Sequence, residues 1–173
     1  MPFHRKSTRL MKLTYLGTKA HFVTLICDLR RPYLQDPETA QLALSRLVTS
    51  AAHASFRLHA FCAMPDHLHF LAHGIEPVSD LLEFVRVFKQ RTAFEFKKRT
   101  GRQLWAMSFY DHILRKADAL EAVACYIWAN PVRKNLCKRP EDFPYSGSLT
   151  IDWIKESRSQ DLFTPPWSQP KPV

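Results

Sequence analysis

Two apolar runs broken only at Pro65-Asp66, across Phe56 to His73, restrict most sharply what this chain can fold into. Phe56 to Met64 alternates as a strand does, and His67 to His73 is a second run of the same kind. A Pro-Asp break that short suits an antiparallel hairpin. Within the second run, His67-Leu68-His69 sets two imidazoles two residues apart. On a strand they point to one face while Leu68 points to the other. Neutral imidazole is the commonest protein metal ligand, so the triplet reads as two ligands of one divalent ion. It also reads, more simply, as one polar strand face, and the triplet alone does not separate the two.

The other elements arrange themselves around this hairpin. Phe22 to Cys27 is rich in β-branched and apolar residues and reads as a buried strand, ended by Arg30-Arg31-Pro32. Asp36 as N-cap and Pro37 at the first helical position open a helix to about Ala54, with Leu42, Leu44, Leu47 and Val48 as its apolar stripe. After a loop from Gly74 to Pro77, Ser79 or a near neighbour caps a long helix to about Thr100, which Gly101 stops. A fourth strand falls at Phe109 to Leu114. Asp118 caps a last helix from Ala119 to about Asn130, and Pro131 ends it.

This order, β-α-β-β-α-β with a further helix and a tail, predicts an α+β, ferredoxin-like (split βαβ, RRM-like) fold. Its antiparallel sheet carries helices on one face and leaves the other open for His67 and His69. Residues 1–150 form one domain and the proline-rich 151–173 an irregular tail, in which Trp153, Phe163 and Trp167 either pack on the domain or stack bases.

A chain of 173 residues suits one core. No C-x-x-C pair occurs, which argues against a zinc knuckle or a thioredoxin-like site, and Cys27 and Cys62 read as buried thiols. No run approaches a membrane span, and the basic N-terminus lacks the apolar stretch of a secretory signal, so the expectation is a cytoplasmic protein. Lys plus Arg is 25 against 16 acidic residues, a net charge of +9. Such an excess favours a polyanionic partner, above all nucleic acid.

Tyr126 and Asn130 are four apart, on one face of the last helix. Tyrosine can be a covalent nucleophile, and an Asn carbonyl can bind a hard cation. By themselves they read more simply as amphipathic-helix positions, with Asn130 as C-cap before Pro131.

Taken together, these segments resemble the single-tyrosine HUH transposases, in particular the REP-associated tyrosine transposases and IS200-like relatives. The matching stretches are Met64-Pro65-Asp66-His67-Leu68-His69, Phe88-Lys89-Gln90, Leu104-Trp105, Phe109-Tyr110-Asp111-His112-Ile113-Leu114-Arg115, Tyr126-Ile127 with Asn130-Pro131-Val132-Arg133, and Phe143-Pro144-Tyr145-Ser146-Gly147-Ser148. They run in the family's order from about Leu16 to Ser148. One departure is Asn135, where the family usually has Gly; Asn tolerates the left-handed conformation better than most residues.

The resemblance implies that His67, His69 and Asn130 hold Mg²⁺ or Mn²⁺ and that Tyr126 is the nucleophile. It implies a single-stranded DNA substrate, a hairpin or palindromic repeat, cut through a 5′-phosphotyrosine at the bacterial nucleoid. It leaves a homodimer and a monomer both open. Candidate DNA contacts are Lys89, Arg86, His112, Arg115 and Arg133, with Arg5 and Lys6 on a basic N-terminal arm. Rival readings are a domesticated DNA-processing protein of this fold, a replication initiator or relaxase, which would need another motif order or a third histidine, and an RRM-like RNA binder, which would need aromatic residues on the central strands.

Overall fold

The computed structural model describes residues 12–115 and 119–159. Strand β1 (Ala20–Ile26) leads through two short 3-10 turns to helix α1 (Pro37–His53). Strands β2 (Phe56–Met64) and β3 (His67–Gly74) form the hairpin, followed by α2 (Leu81–Thr100), β4 (Tyr110–Ile113) and α3 (Leu120–Arg133). A two-residue strand β5 (Ser146–Gly147) and a short helix α4 (Trp153–Ser159) complete the order. The sheet runs β4-β1-β3-β2-β5, and every pairing is antiparallel.

The expected signals act where the sequence places them. Asp36 accepts from the Thr39 N–H at 3.0 Å and caps α1. Asp80, the neighbour of Ser79, caps α2 by accepting from Leu82 and Glu83. Gly101 closes α2 at φ +72°, a left-handed conformation that suits glycine. Asn135 takes φ +56°, and Leu136 N–H to Pro131 C=O with Asn135 N–H to Val132 C=O closes α3 in a Schellman turn. The turn survives the absence of glycine.

Three expectations need correction. Pro131 does not end the last helix; α3 continues through it to Arg133. The proline lacks the N–H that would satisfy the Ile127 carbonyl. The Asn130 side-chain nitrogen takes its place, donating to the carbonyls of Ile127 at 3.3 Å and Tyr126 at 2.9 Å. Second, the far face of the sheet is not open. Val123, Ala124, Ile127 and Trp128 are buried on α3, and they form a second core with Ala60, Cys62, Met64 and Leu71. A helix this apolar must cover a sheet face, and the broad aromatic platform of an RRM-like reader is lost beneath it. Third, the segment expected to be irregular carries α4, whose Trp153 packs on Trp128 at 5.7 Å between ring centroids. Phe163, Trp167 and Asp118 lie outside the described residues.

The main core lies on the opposite face, where Val23, Leu25, Leu68 and Phe70 meet Leu47 of α1 and Phe84 and Phe88 of α2. Leu68 is fully buried there, so the residue between the two histidines anchors them. Cys27 and Cys62 are buried, and burial pushes both thiols up to about 12.

His21 in β1 is fully buried beside Tyr15, and neither ring nitrogen hydrogen-bonds to another described residue. Burial, with the nearby charges of Lys19 and His73, lowers its pKa to about 4. A lowered histidine pKa means that the unfolded chain binds the extra proton, so stability is lost as pH falls from about 6.5 towards 4. His21→Leu is expected to be at least as stable at pH 7.5. It should lose roughly 2 to 3 kcal/mol less than the parent on moving to pH 4.5. Urea unfolding at the two pH values checks this, and an unchanged pH slope would contradict it.

Candidate active site

Antiparallel register assembles the site as rows across the sheet. Cys62, His69, Thr24 and Tyr110 lie abreast on β2, β3, β1 and β4, and Met64, His67 and Ile26 form the adjacent row. Directly opposed residues share a face, so Thr24 stands beside His69. The Nδ1 of His69 lies 2.8 Å from Thr24 Oγ1, and the Nδ1 of His67 lies 2.6 Å from Asp66 Oδ1. The carboxylate can only accept, so His67 carries its proton on Nδ1 and presents a lone pair at Nε2. The two Nε2 atoms converge to 3.0 Å.

Electrostatics keeps both rings neutral. Burial drives His69 well below the ordinary histidine value, with the His67 charge adding to the effect. Burial also lowers His67, partly offset by Asp66. Two neutral nitrogens 3.0 Å apart match adjacent donors at about 2.1 Å from one ion. The chemistry of the pair therefore fits a divalent metal. A carboxylate and a hydroxyl on the outer nitrogens are the supports that metal-bound imidazoles use.

The pair lines a cavity of about 360 Å³ with Tyr126, Arg30, Tyr110 and His112. The Tyr126 ring lies 6.4 Å from the His69 ring, and Phe22 completes a triangle with them, stacked on His69 at 5.3 Å and edge-on to Tyr126 at 6.0 Å. The Arg133 guanidinium sits over the Tyr126 ring at 4.5 Å, and its Nη1 donates to the Tyr126 carbonyl at 3.1 Å. One chain thus supplies the histidines and the tyrosine to one cavity.

The remaining expected residues fall in several places. Asn130 is buried, with its nitrogen tied to α3. Those bonds leave the carbonyl oxygen, the atom a hard cation would take, outside them, and Asn130 is not on the cavity wall. Lys89 donates to the carbonyls of Ala106 and Met107 at 2.7 and 2.9 Å, which ties α2 to the chain entering β4. Arg86 is exposed and paired with Glu83 at 2.6 Å. Neither Lys89 nor Arg86 reaches the histidine cavity, and Arg115, exposed after β4, is not on its wall. Arg5 and Lys6 lie outside the described residues.

Sequence reading misses Asp66, Thr24 and Arg30. Asp66 had a signal, a carboxylate adjoining a candidate ligand. Thr24 had none, because only the register sets it against His69.

Residues 14–130 match the family described as Transposase IS200 like. A Haemophilus influenzae protein assigned as a REP-associated tyrosine transposase is 26% identical over 142 residues, spanning 75% of this chain and 72% of that protein. The REP-associated tyrosine transposase of Escherichia coli K12 is 26% identical over 107 residues, 57% of this chain and 62% of that one, so the chain spans about three-fifths of that relative. Among solved structures, a REP-associated tyrosine transposase bound to a REP hairpin has a TM-score of 0.68 at 21% identity, covering 96% of both chains. That likeness is one of fold. The family match extends from the turn before β1 to Asn130 on α3, across both histidines and the tyrosine, and the chain belongs to the IS200-like transposases.

Proposed function

We propose that this transposase cuts and rejoins single-stranded DNA, folded as a hairpin or palindromic repeat, through a 5′-phosphotyrosine on Tyr126. The observation that carries the reading is the convergence of two neutral, externally braced imidazoles to 3.0 Å in the cavity that Tyr126 lines. A relative of the same fold binds a REP hairpin, which supports a hairpin substrate here. The net charge of +9 supports a polyanion.

His67 and His69, with the Asn130 amide oxygen, would hold Mg²⁺ or Mn²⁺; a mixed nitrogen and oxygen set suits Mn²⁺ well. Such an ion supplies Lewis-acid polarisation of the phosphoryl oxygen. Asp66 and Thr24 hold the two rings in place, so the ligands need no reorganisation. Tyr126 Oη attacks phosphorus in line. The Tyr–O–P bond forms, the P–O3′ bond breaks, and the 3′ oxygen takes up a proton to balance the one the phenol gives to solvent. The Arg133 cation above the ring favours the developing phenolate. Attack by another strand's 3′-hydroxyl reverses the step and joins strands without an external energy source.

The test is a single-stranded hairpin labelled on either side of the cut. With Mg²⁺ or Mn²⁺ the label 3′ of the cut should stay on the protein through denaturing electrophoresis, and a chelator should abolish the adduct. An adduct retaining the other label, or one indifferent to the chelator, would contradict the proposal.

A further inference from the structure

We infer that Arg30 grips a non-bridging oxygen of the DNA phosphate seated at the histidine pair, and that the strained turn at Leu29-Arg30 exists to hold it there. The inference rests on the DNA-cleaving reading above.

Leu29 and Arg30 have φ of 52° and 53°. Two successive left-handed residues, neither of them glycine, carry a conformational cost that persists only where surrounding structure enforces it. The enforcement is visible on both sides of the turn. Cys27 N–H donates to Asp66 C=O at 2.9 Å, Asp28 N–H to Leu104 C=O at 2.8 Å, and Leu34 N–H to Pro65 C=O at 2.9 Å. Burial does not repay the cost, because no residue of Asp28–Arg30 is buried and Leu29 is 75% exposed. What the turn achieves is a placement. Arg30 lies on the cavity wall with His67, His69 and Tyr126, and among the described residues it is the one Lys or Arg lining that cavity.

Its present partner is one that a phosphate can replace. The guanidinium is 3.5 Å from Asp66 Oδ2, with 66% of the Arg30 side chain exposed. An exposed pair at that distance is weak, whereas guanidinium matches phosphate with two parallel hydrogen bonds. Asp66 uses its other oxygen on His67 Nδ1 at 2.6 Å, so the phosphate-binding group and the imidazole are braced by one carboxylate.

Strain and function can be separated by substitution. Arg30→Gly removes the charge and relieves the φ of 53°, while Arg30→Gln removes the charge and keeps the strain. Thermal unfolding and single-turnover adduct formation on a hairpin oligonucleotide are measured for both, beside the parent and Tyr126→Phe. Arg30→Gly should melt at or above the parent temperature. Both variants should form the adduct roughly 100-fold more slowly, with partial rescue by millimolar guanidinium ion and a smaller loss in Arg30→Lys. Adduct formation within twofold of the parent in both variants, or a lower melting temperature in Arg30→Gly, overturns the inference while Tyr126-dependent adduct in the parent leaves the cleavage reading standing. A parent that forms no adduct overturns both.

Discussion

Tyr126→Phe should form no covalent adduct with a hairpin oligonucleotide under conditions in which the parent protein does, and should bind that oligonucleotide within about threefold of the parent. In the proposed reaction the Tyr126 hydroxyl is the bond-forming atom, so its loss leaves no slower route to the same product. The ring is expected to stay in place. Its contacts with Phe22 and the Arg133 guanidinium belong to the ring rather than the hydroxyl, and Arg133 also holds the Tyr126 carbonyl. A cost in stability within about 1 kcal/mol follows for a half-buried position that loses one hydroxyl. Denaturing electrophoresis with labelled DNA reads the adduct, and filter binding reads the affinity. An undiminished adduct in this variant would remove Tyr126 from the chemistry.

His67→Ala should lose metal-dependent cleavage by at least about 10³-fold while retaining most hairpin affinity. One of the two converging nitrogens disappears, and His69 with the Asn130 oxygen is too sparse a ligand set to hold the ion. Charged contacts to the phosphate backbone supply most of the binding, and they are untouched. Asp66→Asn should be milder, roughly 10- to 100-fold, because it loosens the His67 ring without removing the ligand. Cleavage measured across a Mn²⁺ titration separates the two: His67→Ala should not recover at high metal, and Asp66→Asn should recover in part. Burial holds both histidines below their ordinary value. Ligand protonation should therefore limit cleavage only below about pH 6.5, the unperturbed histidine value. A metal response in His67→Ala equal to that of the parent would exclude the pair as ligands.

Much of this architecture was legible in local sequence. The hairpin followed from one Pro-Asp break, the ends of α1 and α2 from Asp36, Pro37 and Gly101, and the common face of His67 and His69 from strand periodicity. The Asn135 turn could be read because Asn is the commonest substitute for glycine at φ above zero. The errors came where a tertiary partner overrode a local rule. Pro131 reads as a helix stop until the Asn130 side chain is seen occupying the carbonyl that the proline abandons. The covered second face was hidden because α3 is apolar enough to bury, but nothing in its sequence says against which strands. Thr24 beside His69, and Arg30 on the cavity wall, depend on register and on backbone strain that single-chain patterns do not encode. Lys89, a basic residue in a matching motif, has its ammonium on two backbone carbonyls, a tie that only the folded chain reveals.

The most direct measurement is peptide mapping of the protein–DNA adduct by mass spectrometry after nuclease digestion. The same cavity holds a second tyrosine, Tyr110, which is 65% exposed and lies in the row of Thr24 and His69. The nucleotide remnant is expected on the peptide containing Tyr126, through a 5′-phosphate ester. A remnant on Tyr110, or a 3′-linked one on either residue, would contradict the assignment of Tyr126 as the nucleophile facing the histidine pair.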